Sequence, residues 1–280
     1  MTLSRPAVLI VTALVMAAFA ANSVLARLAL ITTDIDAASF SAVRLLSGAA
    51  VLLAVVRLRP RSGPGGRWRS AWALFVYVVA LSYAYLSLST GTGALLLFGS
   101  VQVTMIGAGL WAGERMSPWG WAGFALAVGG LVALLAPGVT SPPLLPAVTM
   151  VTSGVAWGLY SLAGRRRADP VGATAGNFVR ASLLGLGLAG VMAVSGGLRL
   201  DPAGLGYAAL SGAVTSGLGY VAWYTVLPSL RSASAATVQL SVPVLAALGG
   251  VLFVGEPPTA RFMIASAVTL GGIALVVRSR

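Results

Sequence analysis

Polar and aromatic side chains recur inside long apolar stretches of this 280-residue chain. Ser216, Tyr220 and Tyr224 are spaced at i, i+4 and i+8, which places them on one face of a helix. Such groups cost free energy inside a membrane unless they face a cavity or another helix. Amide groups and aromatic rings that converge on a cavity can bind the polar head and the apolar body of a small metabolite.

The candidate substrate-binding residues come from several different apolar stretches, so a helical fold could bring them together around one cavity. They are Asn22, Tyr83, Gln102, Trp157, Tyr160, Tyr220, Tyr224 and Gln239. In the alternative interpretation, hydroxyls and amides only hold helices together, and Tyr and Trp mark the membrane interface.

Charged residues form a second candidate group. Arg44 and Arg180 lie well inside apolar stretches, with Arg180 deeper, and an arginine keeps its proton. Each therefore needs a partner, which we expect to be helix-end carbonyls or a substrate carboxylate. Glu114 and Glu256 follow apolar stretches and are candidates for loop capping, or for gating pairs in which Glu256 meets Arg44 and Glu114 meets Arg180. Pro243 is a further gating or structural candidate.

The chain contains no Cys and no His, and only six acidic residues. Disulfides, Cys or His metal ligands, and Ser-His or Cys-His catalysis are therefore excluded. The acidic residues are too scattered for a carboxylate metal cluster. We predict that the protein is not an enzyme, with no catalytic residue, no metal site and no cofactor.

Composition indicates an integral membrane protein. The chain is 58% hydrophobic and 9% charged, with a mean hydropathy of +0.94. A membrane-spanning helix needs about 20 apolar residues. We predict one all-α membrane domain with ten transmembrane helices, at 6–31, 37–56, 70–88, 92–112, 118–136, 144–163, 171–195, 203–227, 232–254 and 259–277.

The arginines predict the orientation. The net charge is +12, but most arginines lie in short loops, five of them between residues 57 and 69, so nucleic acid is not an expected partner. Short cytoplasmic loops of membrane proteins are enriched in Arg. A cytoplasmic N-terminus leaves only Arg27, Arg199 and Arg261 on the outer side. We therefore predict that both termini are cytoplasmic.

An internal repeat divides the chain. A shift of 142 residues places Gly-Glu at 113–114 on Gly-Glu at 255–256, and Gly-Gly at 129–130 on Gly-Gly at 271–272. A second shift, of 136 residues, places Arg44 on Arg180.

The Gly/Pro-rich segment 137–143 is the natural boundary, so we predict repeats at 1–139 and 140–280. Because five helices per repeat is an odd number, the second repeat must be inverted in the membrane. Inverted repeats are typical of transporters that work by alternating access, with a site near the midplane.

The repeat carries a family resemblance. A Gly-Glu step followed by a helix with Gly-Gly, twice in the chain, resembles the EamA-type branch of the drug/metabolite transporter superfamily. The run Ser232–Ala236, Pro243-Val244 and Trp157-Gly158 agree with this resemblance. The first half departs from the pattern, because it has Val101 where the repeat would place the Pro and Ala20-Ala21 where it would place Trp-Gly.

Within that branch the chain is most similar to the bacterial YddG-type exporters of aromatic amino acids. The resemblance implies an exporter of amino acids and related small metabolites in the bacterial inner membrane, which we expect to be monomeric or weakly oligomeric. The alternative is a carrier of carboxylated or phosphorylated metabolites that uses Arg44 and Arg180. Because the middles of the predicted helices lack Asp, Glu, His and Lys, we expect transport to be weakly coupled or uncoupled to protons.

Overall fold

The structure is a computed structural model that describes residues 4–59, 63–138, 141–164, 168–230, 235 and 238–279. Throughout these residues the regular structure is helical and contains no strand. Several sequence-based expectations fall outside them. These are the orientation signals Arg61, Arg165, Arg166, Arg167, Arg231 and Arg280, the repeat boundary between residues 139 and 140, and the run Ser232–Ala236 except for Ala235.

Seven helices come first along the chain. They are α1 (Arg5–Thr32), α2 (Ala37–Arg57), α3 (Trp68–Tyr85), α4 (Thr90–Trp111), α5 (Pro118–Leu135), α6 (Leu144–Gly164) and α7 (Pro170–Val194). Their starts are capped in ways the sequence encodes. Asp36, Ser117 and Asp169 each accept a hydrogen bond from a backbone N–H of the first helical turn.

Beyond α7 the helical segments are interrupted. Helix α8 (Pro202–Leu210) continues through a π-helix (Ser211–Leu218) into α9 (Gly219–Val226). Helix α10 (Ser241–Gly249) continues into a second π-helix (Gly250–Val254), and α11 (Ala260–Arg278) ends the described chain.

Within the described residues, seven helices are long and apolar enough to cross a membrane: α1, α2, α4, α5, α6, α7 and α11. The expectation of an all-helical membrane fold agrees with this result. The expectation of ten crossing helices is not confirmed by it. Helix α3 falls outside the set, and the region predicted as the eighth span is divided by a π-helix. In the region predicted as the ninth span, the described apolar helix is the shorter Ser241–Val254.

The helices pack in pairs that join the beginning of the chain to its end. Helix α2 packs on α7, and α5 packs on α11. Helix α3 packs on α6, and α1 packs on the continuous segment α8–α9. In the same way α4 contacts α6, and α1 contacts α10. Each element of the first half is therefore held mainly by elements of the second half.

Small residues bring α5 and α11 into close contact. Gly123 and Gly130 of α5 face Gly272 and Thr269 of α11. A methyl group added at Gly272 would lie 2.5 Å from the carbonyl oxygen of Gly123. Backbone contact of this kind is the usual way in which helices associate in lipid, where no hydrophobic driving force acts between them.

Two loops are joined at one end of the bundle through Asp36. Its carboxylate accepts hydrogen bonds from the backbone N–H of Arg199 and from the hydroxyl of Ser39, at 2.8 and 2.6 Å. Burial alone would raise the pKa of Asp36, but the hydrogen bonds from Ser39, Arg199 and Ala38 together hold it below its ordinary value. The link therefore persists down to acidic pH.

We predict that Gly272→Ala destabilises the protein by about 1–3 kcal/mol, because the added methyl group must push α11 away from α5. Gly271→Ala is the matched control, since nothing lies within 4 Å of a methyl group at that position. The measurement is the thermal unfolding midpoint of the two purified variants in the same detergent. Equal midpoints would contradict the close packing of α5 on α11.

Candidate functional site

A buried polar network joins α1 to the π-helix that follows α8. The side-chain oxygen Oδ1 of Asn22 accepts hydrogen bonds from the hydroxyls of Ser211, Thr215 and Ser216, at 2.8, 2.6 and 3.4 Å. All four residues are buried. Three hydroxyl donors on one amide oxygen leave the amide NH2 of Asn22 to serve other partners.

The π-helix explains how three hydroxyls reach one acceptor. Its hydrogen bonds run from residue i to i+5, so residues five apart, such as Ser211 and Ser216, come to lie one above the other. The same segment carries Gly212, whose backbone lies directly against Arg44 of α2. The lack of a side chain at Gly212 therefore allows α2 to approach closely, and the π-helical turn aligns the hydroxyls toward α1.

Among the described residues, Arg44 is the largest fully buried side chain, with a relative exposure of 0%. Its Nη2 donates to the hydroxyls of Tyr77 and Ser216, at 2.9 and 3.4 Å. Its Nε and Nη1 have no hydrogen-bond partner. The expectation of helix-end carbonyls is therefore wrong for Arg44. All six acidic residues are among the described residues, and none of them forms an ion pair with Arg44.

Arg180 has a different environment. Its Nη1 donates to the carbonyl oxygens of Gly65 and Gly176, at 2.7 and 2.8 Å, and the side chain is only partly buried. Both partners are carbonyls, but neither is the expected helix-end carbonyl, because Gly65 lies in the loop before α3 and Gly176 in the second turn of α7. The side chain of Arg180 is more exposed than that of Arg44, because it reaches the loop that precedes α3.

Aromatic rings form a stack beside this network. The Trp157 indole lies nearly parallel to the rings of Tyr220 and Tyr160, with centroid distances of 5.2 and 5.3 Å. Tyr77 tilts against Trp157 at 4.8 Å, and Phe19 meets the Tyr220 ring edge to face at 5.8 Å. These rings come from α1, α3, α6 and α9, so the stack connects both halves of the chain.

A cavity lies against this stack, and we call it the aromatic cavity. Its walls are Phe19, Asn22, Ser23, Tyr77, Leu81, Leu97, Phe98, Trp157 and Tyr220. In this conformation its free space is on the order of one water molecule. A larger ligand therefore requires the surrounding helices to separate.

A second cavity lies on the other side of the stack. Tyr160, Tyr224, Thr174 and Asn177 are among its walls. Within the described residues no group of three or more His, Cys, Asp or Glu could hold a metal ion. Both cavities offer hydroxyls, amides and aromatic faces to a ligand.

The predicted site residues divide into three groups. Asn22, Trp157 and Tyr220 line the aromatic cavity, and Tyr160 and Tyr224 line the second cavity. The remaining three, Tyr83, Gln102 and Gln239, line neither of these cavities. Tyr83 is 37% exposed near the end of α3, Gln102 is buried in α4, and Gln239 is partly exposed.

The sequence-based selection missed Tyr77, which touches both Arg44 and Trp157. A usable signal was present. Tyr77 lies in the middle of the predicted span 70–88, whereas Tyr83 lies nearer its end. Position within the predicted span therefore separates the two tyrosines, because the one near the middle lines the aromatic cavity and the one nearer the end does not.

An ion pair closes one end of the bundle. Arg27 Nε donates to Glu256 Oε1 at 2.7 Å, and Arg27 Nη1 donates to the carbonyl oxygen of Tyr85 at 2.8 Å. The other oxygen of Glu256 accepts the backbone N–H of Thr90 at 2.7 Å and so caps α4. The expected pairing of Glu256 with Arg44 is wrong in this conformation, because Glu256 pairs with Arg27 instead.

The other expected gating pair, Glu114 with Arg180, is not formed in this conformation. Glu114 is exposed in the loop after α4, and it forms no ion pair with Arg180, which binds carbonyl oxygens instead. Pro243 is buried in the first turn of α10.

Comparisons with known proteins agree with this architecture. Residues 144–278 match the model of the EamA-like transporter family. An uncharacterized protein of Pseudomonas aeruginosa is 54% identical over 274 residues, which cover 97% of this chain and 95% of that protein. An uncharacterized transporter of Archaeoglobus fulgidus is 25% identical over 214 residues, which cover 73% of this chain and 74% of that protein.

A solved crystal structure of a protein has the same fold, with a TM-score of 0.67, 19% identity and coverage of 98% of both chains. The family match in the second half and the relatives that span most of the chain lead to one conclusion. The chain belongs to the EamA-like transporter family, a family of multi-pass membrane transporters within the drug/metabolite transporter superfamily.

Proposed function

We propose that the protein exports amino acids, including aromatic ones, and related small metabolites across the bacterial inner membrane. The observation that carries this proposal is the aromatic stack formed by Trp157 with Tyr160 and Tyr220 beside a cavity with amide and hydroxyl groups. Flat aromatic walls suit a planar apolar side chain, and the Asn22 amide and the Tyr77 hydroxyl suit a polar head.

The proposed mechanism is alternating access between two inverted repeats of five helices, acting as a monomer. The packing pattern supports it. Exchanging the two halves turns the α3–α6 contact into the contact of the α8–α9 segment with α1, and it turns the α4–α6 contact into the α10–α1 contact. The α2–α7 and α5–α11 contacts map onto themselves. A pseudo-two-fold axis that relates two inverted repeats would produce this pattern.

In this proposal both termini are cytoplasmic, and the end of the bundle that holds Glu256 faces outward. The excess of arginines in the loops assigned to the cytoplasm supports the orientation. The ion pair of Arg27 with Glu256 then joins α1 to the loop that follows the second π-helix on the outer side. This ion pair has to break when the cavity opens outward.

The alternative, in which Arg44 and Arg180 together bind carboxylated or phosphorylated metabolites, is less well supported. It would need both Arg44 and Arg180 at the ligand, because a phosphate ester carries more than one negative charge. Arg180 instead donates to two backbone carbonyls near the loop before α3. Only Arg44 then remains as a deeply buried cation.

We predict that Trp157→Ala lowers the initial rate of L-tryptophan transport into proteoliposomes by roughly ten-fold, because the loss of the indole removes the centre of the stack. Trp119→Ala is the matched control, since this residue is 70% exposed at the start of α5. Equal rates for both variants, at equal protein in the membrane, would place the substrate elsewhere.

A second prediction concerns the ion pair. Arg27→Glu and Glu256→Arg should each slow transport by about two- to ten-fold, and the double exchange should restore part of the loss. Restoration is partial because an arginine at position 256 cannot accept the Thr90 N–H. Arg27→Glu combined with Glu114→Arg is the control and should restore nothing. Additive losses in the double exchange would exclude a functional link between Arg27 and Glu256.

We also predict that a pH gradient alone does not drive concentrative uptake. A coupled proton needs a group that titrates near neutral pH and is exposed to each side in turn. The chain has no His and no Lys, and its six acidic residues all lie outside the helices. The test imposes a pH gradient on proteoliposomes with equal substrate on both sides. Substrate accumulation that a protonophore abolishes would contradict this prediction, whereas a transport rate that only varies with pH would not.

A further inference from the structure

We propose that Arg44 is the anchor for a substrate carboxylate, and that the site therefore selects cargo by a single carboxylate and not by an ammonium group. This inference rests on the proposed function and narrows it. The cargo class is a monocarboxylate with an apolar or aromatic body, of which an amino acid is one member and the corresponding deaminated acid is another.

The first argument is the missing counter-ion. A guanidinium has five N–H donors, and Arg44 uses only Nη2 within the fold, so the donors on Nε and Nη1 are left without partners. A buried charge that is left unpaired destabilises a protein strongly. Intramembrane charges therefore persist mainly where function needs them. A carboxylate ligand would supply both the missing charge and the missing acceptors.

The second argument is position. Both hydroxyl partners of Arg44 belong to the edge of the aromatic cavity. Tyr77 lines that cavity directly, and Ser216 donates to Asn22, which also lines it. The guanidinium thus lies one residue layer behind the cavity wall. When the helices separate, a carboxylate that enters beside Tyr77 can take over the donors of Arg44, while the apolar body of the ligand packs on Trp157.

The third argument concerns the ammonium group. An α-ammonium near Arg44 would meet a like charge, and none of the residues that line the aromatic cavity is acidic. Hydroxyls and aromatic faces are its only candidate partners, and these are weaker than a carboxylate. Removing the ammonium group from the ligand should therefore lower its affinity only slightly, and removing the carboxylate should lower its affinity strongly.

The test uses two sets of ligands on the full-length wild-type protein in lipid nanodiscs. One set is L-tryptophan, indole-3-propionate and tryptamine, and the other is L-leucine, 4-methylpentanoate and isopentylamine. Apparent Kd values come from ligand-dependent thermal stabilisation. In at least one set, we expect the amino acid and the deaminated acid to bind within about three-fold of each other, and the amine to bind at least about ten-fold more weakly.

Variants of Arg44 test whether this residue causes the preference for acids over amines. Arg44→Gln should bring the acid down to the affinity of the amine, and Arg44→Lys should retain part of the preference because it keeps the charge. Arg180→Gln is the matched control and should leave the ratio of acid to amine affinity unchanged. If Arg44→Gln does not fold, the wild-type ligand sets still decide, because they require no substitution.

The outcomes separate the inference from the proposed function. An amine that binds as tightly as its acid overturns the anchor role of Arg44 and leaves amino acid export standing. A preference for acids that survives Arg44→Gln does the same. Tight binding of the acids without the amino acids supports the anchor and contradicts amino acid export. No binding in either set overturns the proposed function and the inference that rests on it.

Discussion

The unbalanced charge of Arg44 is the constraint on which the centre of this structure depends. A guanidinium with 0% exposure must be held by whatever neighbours the fold provides, and here these are the hydroxyls of Tyr77 and Ser216. Those two residues belong to α3 and to the π-helix after α8. One side chain of α2 therefore fixes the relative positions of three elements, drawn from both halves of the chain.

The neighbouring network follows from the same constraint. Ser216 can reach Arg44 and Asn22 because the π-helix places it above Ser211, and Asn22 then ties α1 to this group. Three hydroxyls and one amide carry the polar contacts, so no acidic residue is needed within the bundle. The aromatic rings lie beside the network and line the aromatic cavity together with Asn22. Polar groups and aromatic rings therefore lie next to each other at one cavity, an arrangement typical of small-molecule sites.

Helix positions were largely predictable from the sequence, because the length of an apolar stretch and the residues at its ends determine a membrane helix. The predicted span 118–136 corresponds to Pro118–Leu135, where Ser117 caps the start. The π-helices were not predictable, since the spacing of Ser216 and Tyr220 also fits an α-helix. The Arg27–Glu256 pair was missed because its members are 229 residues apart, and only packing brings them together.

Helix α1 connects the aromatic cavity to the ion pair at the end of the bundle. Asn22 and Ser23 face the cavity, and Arg27 lies only four to five residues further along the same helix, a rise of about 6–8 Å. A helix turn is stiff, so α1 cannot move away from the π-helix to admit a ligand without also moving Arg27. The carboxylate of Glu256 is held instead by the N–H of Thr90, which belongs to a different helix, α4. In the proposed mechanism, one displacement of α1 therefore both widens the cavity and breaks the Arg27–Glu256 ion pair.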